Sequence, residues 1–101
     1  MRRAARIDEN QPEIVEALRK AGAIVELHHA WPCGYDILVH CAGVTMRVEI
    51  KDGRKPPSAQ ALTDREKQAR DANPSSYAVV TNVAEALELL TVLRSKKRVQ
   101  S

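Results

Sequence analysis

Two runs of alternating apolar residues, 35–41 (YDILVHC) and 44–51 (VTMRVEIK), are separated only by Ala42-Gly43, and this spacing restricts the chain more than any other feature. A two-residue loop makes an antiparallel hairpin in which the numbers of facing residues sum to 85. Cys41 then faces Val44, Val39 faces Met46 and Ile37 faces Val48, and every one of these pairs is apolar. A one-residue slip would break all three matches together, so these side chains belong on one buried face. The opposite face carries Asp36, and the same register puts Glu49 across from it.

Two carboxylates directly opposed on an antiparallel pair have Cβ atoms about 4.5–5.5 Å apart, and like charges so placed destabilise the sheet. Something must compensate them. Lys51 lies two residues beyond Glu49 and so on the same face, within reach of the pair. A hard divalent cation is the other candidate, since Mg²⁺ takes a couple of carboxylates together with water and phosphate oxygens. Asp36, Glu49 and Lys51 are therefore expected to converge on one point. The plainer alternative leaves Asp36 in solvent at a loop end and makes Glu49 with Lys51 an exposed salt bridge, worth under about 1 kcal/mol.

The remaining elements follow from periodicity and punctuation. A helix is expected over 11–21, capped by Asn10 with Glu13 as capping-box partner, striped by Ile14, Val15, Leu18 and Ala21, and ended by Gly22. A strand over 23–30 (AIVELHHA) precedes the loop Trp31-Pro32-Cys33-Gly34. After Lys51 comes a basic, turn-rich segment in which Pro56 and Pro57 argue against a regular element. Thr63 with Glu66 forms a second capping box opening a polar helix that ends by Asn73-Pro74. A short strand over 77–81 leads to Asn82 with Glu85, a third capping box, before Val83, Ala86, Leu87, Leu90 and Leu93 at helical spacing. The predicted order is α-β-β-β-α-β-α, an α/β class with a mixed central sheet flanked by helices.

A chain of 101 residues with 44% hydrophobic and 29% charged residues suits one domain, and no apolar run approaches the roughly 20 residues of a membrane span. Without Phe and with one Trp, its core must come from Val, Ile, Leu and Ala. Asp8, Glu9 and Asn10 stand where a signal peptide would need its apolar stretch, so a cytoplasmic protein is expected. Seven of the 16 basic residues lie at the two ends, leaving a net −4 over residues 7–93. The ends, about 1–6 and 94–101, are read as flexible arms, with Arg2, Arg3, Lys96 and Lys97 suited to a phosphate backbone or simply to solvent. His28, His29, Cys33, His40 and Cys41 crowd one stretch, so a small zinc-binding interaction domain using His28 or His29 with Cys33 and Cys41 is weighed, although no Cys-x-x-Cys pair is present.

Gly34-Tyr35-Asp36, an apolar strand, a short turn and then Val48-Glu49-Ile50-Lys51 resembles the core of the PD-(D/E)XK nucleases, the fold of many restriction enzymes and Holliday junction resolvases. The stretch from about residue 6 to 93 is similar to the small stand-alone VRR-NUC-like nucleases of phages and bacteria. Tyr35 departs from the pattern, standing where the motif has Pro.

The resemblance implies a restriction-endonuclease-like fold and a Mg²⁺- or Mn²⁺-dependent endonuclease acting on DNA in a bacterial or phage-infected cell. It implies that Asp36, Glu49 and the backbone carbonyl of Ile50 bind the metal, and that Lys51 positions or helps deprotonate the attacking water and stabilises charge on the phosphate. In-line attack would leave 5′-phosphate and 3′-hydroxyl ends. Glu13 matches the first-helix acidic residue with which many members hold a metal-bound water or a second ion, besides being a cap partner. Gln60 and Glu66 fall where relatives often carry Gln or Glu, while Arg54, Lys55 and Gln60 are expected to meet the nucleic acid. One centre cuts one strand, so symmetric cutting requires a homodimer. With few aromatics, recognition is expected to follow backbone shape, favouring junctions, flaps or nicks. A nucleic-acid-binding module that keeps the fold but does not cut is the competing function.

Overall fold

The computed structural model describes residues 8–100, with side chains to residue 96. Arg2, Arg3 and the Lys97 side chain lie outside this range. The order is α1 (Gln11–Lys20), β1 (Ile24–Leu27), β2 (Ile37–Cys41), β3 (Val44–Ile50), α2 (Pro57–Gln60), α3 (Asp64–Ala72), β4 (Tyr77–Val80) and α4 (Val83–Gln100), with a 3₁₀ turn at Pro74–Ser76. The four strands form one sheet in the order β1-β2-β3-β4, antiparallel up to β3 and parallel between β3 and β4. This is the mixed, helix-flanked sheet that the element order implied.

The hairpin register is the expected one, with Ile37 opposite Val48, Val39 opposite Met46 and Cys41 opposite Val44. Ile37, Val39, Cys41, Met46, Val48 and Ile50 are buried on one face together with Val25. Ile14, Val15 and Leu18 of α1 and Ala86, Leu90 and Leu93 of α4 complete that core. The turn holds both central residues at positive φ, Ala42 at 56° and Gly43 at 80°. Gly tolerates this, whereas Ala carries a Cβ penalty of about 1 kcal/mol. Ala42→Asn, which suits the first position of such a turn, should therefore raise stability by about 0.5–1 kcal/mol, seen as a urea midpoint shift at constant slope.

The other face is covered by α3, and Arg47 is what docks it. Its guanidinium donates to the carbonyls of Ala69 and Asn73, each at 2.7 Å, and to Ser76 Oγ at 3.3 Å. The same group lies 5.3 Å from the Tyr77 ring centroid and 6.0 Å from that of Tyr35. A cation suits the carbonyls at a helix C-terminus, and the aromatic faces support it from the side. A helix with no buried residue of its own is thereby fixed over the sheet.

Several local expectations are corrected. Asn10 makes no cap hydrogen bond, because its Nδ2 donates to the carbonyls of Lys51 (3.2 Å) and Thr81 (3.0 Å) and ties α1 to the ends of two strands. Pro56-Pro57 does not exclude structure: Pro57 opens the short helix α2, where a missing N–H costs nothing. Thr63 and Glu66 form the full capping box. Asn82 accepts from the Glu85 N–H, but the Glu85 carboxylate reaches on to the N–H and hydroxyl of Thr81, so only half of the third box forms. Strand β1 stops at Leu27, since residues 28–34 turn back toward β2, and α4 runs seven residues past Leu93 through the basic stretch. Among the described residues no helix is long and apolar enough to cross a membrane.

Candidate functional site

Asp36 lies just before β2, yet its backbone continues the ladder. Its N–H donates to the Val48 carbonyl at 3.0 Å, and its carbonyl accepts from His28 N–H at 2.7 Å. Its Oδ2 accepts from the Ile50 N–H at 2.8 Å, which aims the carboxylate across the hairpin toward Glu49. Glu49 is 4% exposed and Lys51 9% exposed, so the exposed-salt-bridge alternative does not hold. Lys51 Nζ lies 3.5 Å from Glu49 Oε2 and 2.9 Å from Glu66 Oε1. Glu66 Oε1 also accepts from the Thr63 N–H at 2.9 Å, so one oxygen caps α3 and holds the lysine. Asp36, Glu49, Thr63, Arg65, Glu66 and Trp31 line a cleft of about 190 Å³.

The charges in this cleft do not balance. Burial and the neighbouring Asp36 and Glu66 push the Glu49 carboxyl up to about 10. Burial likewise raises Asp36, opposed by its hydrogen bonds from Ile50 and with Glu49. Burial would depress Lys51, but Glu66 and Glu49 together raise it, so it is an ammonium at neutral pH. Burial also acts to raise Glu66, and the Thr63 and Lys51 hydrogen bonds overcome it and leave Glu66 below the ordinary carboxylate range. Three carboxyl groups thus share one ammonium, and the most buried of them keeps its proton.

These donors fit a hard divalent cation by type. They are oxygens, the pair is repulsive without added positive charge, and Mg²⁺ or Mn²⁺ favours such ligands over nitrogen or sulfur. Among the described residues no group of three His, Cys, Asp or Glu side chains is arranged to hold a metal, and Glu66 is turned to Lys51. A cation here would rest on Asp36, Glu49, a backbone carbonyl such as that of Ile50, and water.

Other predicted site residues lie elsewhere. Glu13 is exposed and lines a separate cleft of about 390 Å³ with Asn10, Asp52, Arg54 and Gln60, so it does not join Asp36 and Glu49. Arg54 binds both oxygens of Asp52, at 3.0 and 2.9 Å, which brings that carboxyl down to about 2. Lys55 pairs with Asp8 at 3.6 Å, and Gln60 donates to the Lys55 carbonyl at 2.6 Å, so these residues fasten the loop after β3. Lys96 is half-buried on α4.

The residues weighed for zinc do not converge among the described residues. Cys41 is buried in the core, Cys33 Sγ is directed at the carbonyls of His28 and Tyr35, and His29 meets Gln11. His40 and His28 share Glu26 on the sheet's outer face. A larger cleft of about 720 Å³ between α1 and β1 is lined by the exposed Glu16, Arg19 and Lys20 and has no buried carboxylate, so chemistry rather than size marks the site.

Sequence reasoning missed Arg47, whose role depends on a helix 22 residues away, and the joint task of Glu66. The capping box was a visible signal for Glu66, but its contact to Lys51 was not. Compared with family models, curated proteins and solved structures, the chain matches none.

Proposed function

We propose that this chain is a metal-dependent endonuclease of the PD-(D/E)XK type, with a restriction-endonuclease-like core, that hydrolyses DNA phosphodiester bonds. The observation that carries this reading is the buried Glu49 beside a half-buried Asp36 and a charged, buried Lys51, on a face that ordinary packing would fill with apolar groups. Mg²⁺ or Mn²⁺, when bound, would neutralise the carboxylates and a phosphate oxygen and acidify a bound water. Asp36 and Glu49 hold that cation, with the Ile50 carbonyl as a further oxygen. Lys51 stays charged and acts through its charge, stabilising the phosphate in the transition state rather than serving as a base. Glu66 positions the lysine, and Arg47 positions Glu66 through α3.

A single centre serves one strand, so symmetric cutting of a junction or duplex would take a homodimer. The absence of a lipid-spanning helix among the described residues is compatible with work on DNA in the cytoplasm. The test is cleavage of end-labelled duplex, single-stranded, flap and four-way-junction DNA with Mg²⁺ or Mn²⁺, beside EDTA and Glu49→Ala. Cutting should require metal and fall at least about 100-fold in Glu49→Ala. Binding without any cutting would contradict the proposal and favour a non-catalytic module.

A further inference from the structure

The chain has three aromatic residues, and two of them, Trp31 and Tyr35, line the cleft that holds Asp36, Glu49 and Glu66. Trp31 is 61% exposed, although burying an indole is ordinarily worth more than any other single side chain. Its loop is nevertheless well held. The Trp31 N–H donates to the His28 carbonyl at 3.0 Å, the Cys33 N–H donates to the Trp31 carbonyl at 2.8 Å, and Arg65 of α3 donates to the Pro32 carbonyl at 2.8 Å. The His28 ring buttresses the indole, with centroids 4.7 Å apart and planes tilted by 44°. An apolar ring fixed in solvent at the mouth of an acidic cleft serves neither the core nor the catalytic charges.

We infer that Trp31 is a stacking platform for an unpaired nucleobase next to the phosphate being cut, so that the substrate class is DNA with a single-stranded nucleotide at the cleavage point. This rests on the endonuclease reading for the identity of the ligand. A cleft of about 190 Å³ that includes both the indole and the carboxylates brings a base beside the first within one nucleotide of the second. A duplex keeps its bases paired and stacked, whereas a single strand, flap or frayed end exposes a base face to the ring. Arg65, on the same rim, supplies a cation for the adjoining phosphate.

Trp31 is the sole tryptophan, so its own fluorescence reports stacking directly. The full chain would be titrated with an oligothymidylate of about a dozen nucleotides, a blunt duplex of equal length and an abasic strand of equal charge. Ca²⁺ would replace Mg²⁺ to supply charge while hydrolysis is slow. The oligothymidylate should quench Trp31, and the duplex and abasic strand should not. By anisotropy of a labelled strand, Trp31→Ala should lose about 10-fold in single-strand affinity, and Trp31→Phe should keep most of it. Binding without quenching, equal quenching by the duplex, or unchanged affinity in Trp31→Ala would overturn the inference. Quenching by a strand that the chain never cuts with Mg²⁺ would refute the hydrolytic reading and leave the subsite standing. Cutting with an unchanged preference for single strands in Trp31→Ala would do the reverse.

Discussion

Glu49→Gln is expected to make the metal-free protein more stable while eliminating metal-dependent cleavage. The wild-type carboxyl sits opposite Asp36 with 4% of its surface exposed, and its pKa is pushed from 4.5 to about 10. The folded protein therefore holds a proton that the unfolded chain gives up above the ordinary value. The stability that this group contributes is complete below about pH 4.5 and is lost as pH rises toward about 10. An amide removes the titration and keeps the shape. The variant should gain about 1–3 kcal/mol at pH 8, or several degrees in Tm, and its stability should vary less between pH 6 and 9 than that of the wild type. Urea unfolding at several pH values, beside a cleavage assay, reads both effects. A variant less stable than wild type in metal-free buffer would show that the pair is not in electrostatic conflict.

Gly34→Ala should cost more than any surface substitution. Gly34 has φ +86°, and a Cβ there would lie 2.7 Å from Ala69 Cβ and 2.8 Å from the Arg65 carbonyl oxygen. Both contacts are with α3, and one of them is with its backbone, so the strain has no flexible side chain to absorb it. The left-handed conformation adds about 1–2 kcal/mol and the overlap about 1–3 kcal/mol. Tm should fall by more than about 10 °C. The Gly34 carbonyl also accepts from Tyr77 Oη at 2.8 Å, so displacing this point disturbs the sheet as well as the helix. Because α3 carries Glu66, the Lys51 ammonium should lose its partner, and cleavage should drop even at temperatures where the variant is folded. Unchanged unfolding in Gly34→Ala would mean that α3 is not packed on Gly34 as described.

The hairpin was legible because its information is local: six apolar side chains and a two-residue turn leave only one register. That register in turn placed Asp36 opposite Glu49 before any fold was known. The Thr63–Glu66 cap was legible for the same reason. Asn10 misled because its side chain satisfies carbonyls 41 and 71 residues away, a competition that no local pattern displays. The burial of Glu49 and Lys51 was hidden as well. Their face alternates polar residues as an exposed face would, and its cover is a polar helix held by Arg47 rather than by an apolar stripe. Trp31 read as a loop residue in sequence, and only the fold shows whose cleft that loop borders.

Calorimetric titration of Mn²⁺ into wild type and Glu49→Gln at pH 6 and pH 8, in buffers of different ionisation enthalpy, reads whether Asp36 and Glu49 hold a cation. A cation held by Asp36 and Glu49 must displace the proton on Glu49, so binding should be tighter at pH 8, release protons, and vanish in Glu49→Gln. Absence of Mn²⁺ binding in the wild type, or binding of equal strength in Glu49→Gln, would contradict a cation held by that pair.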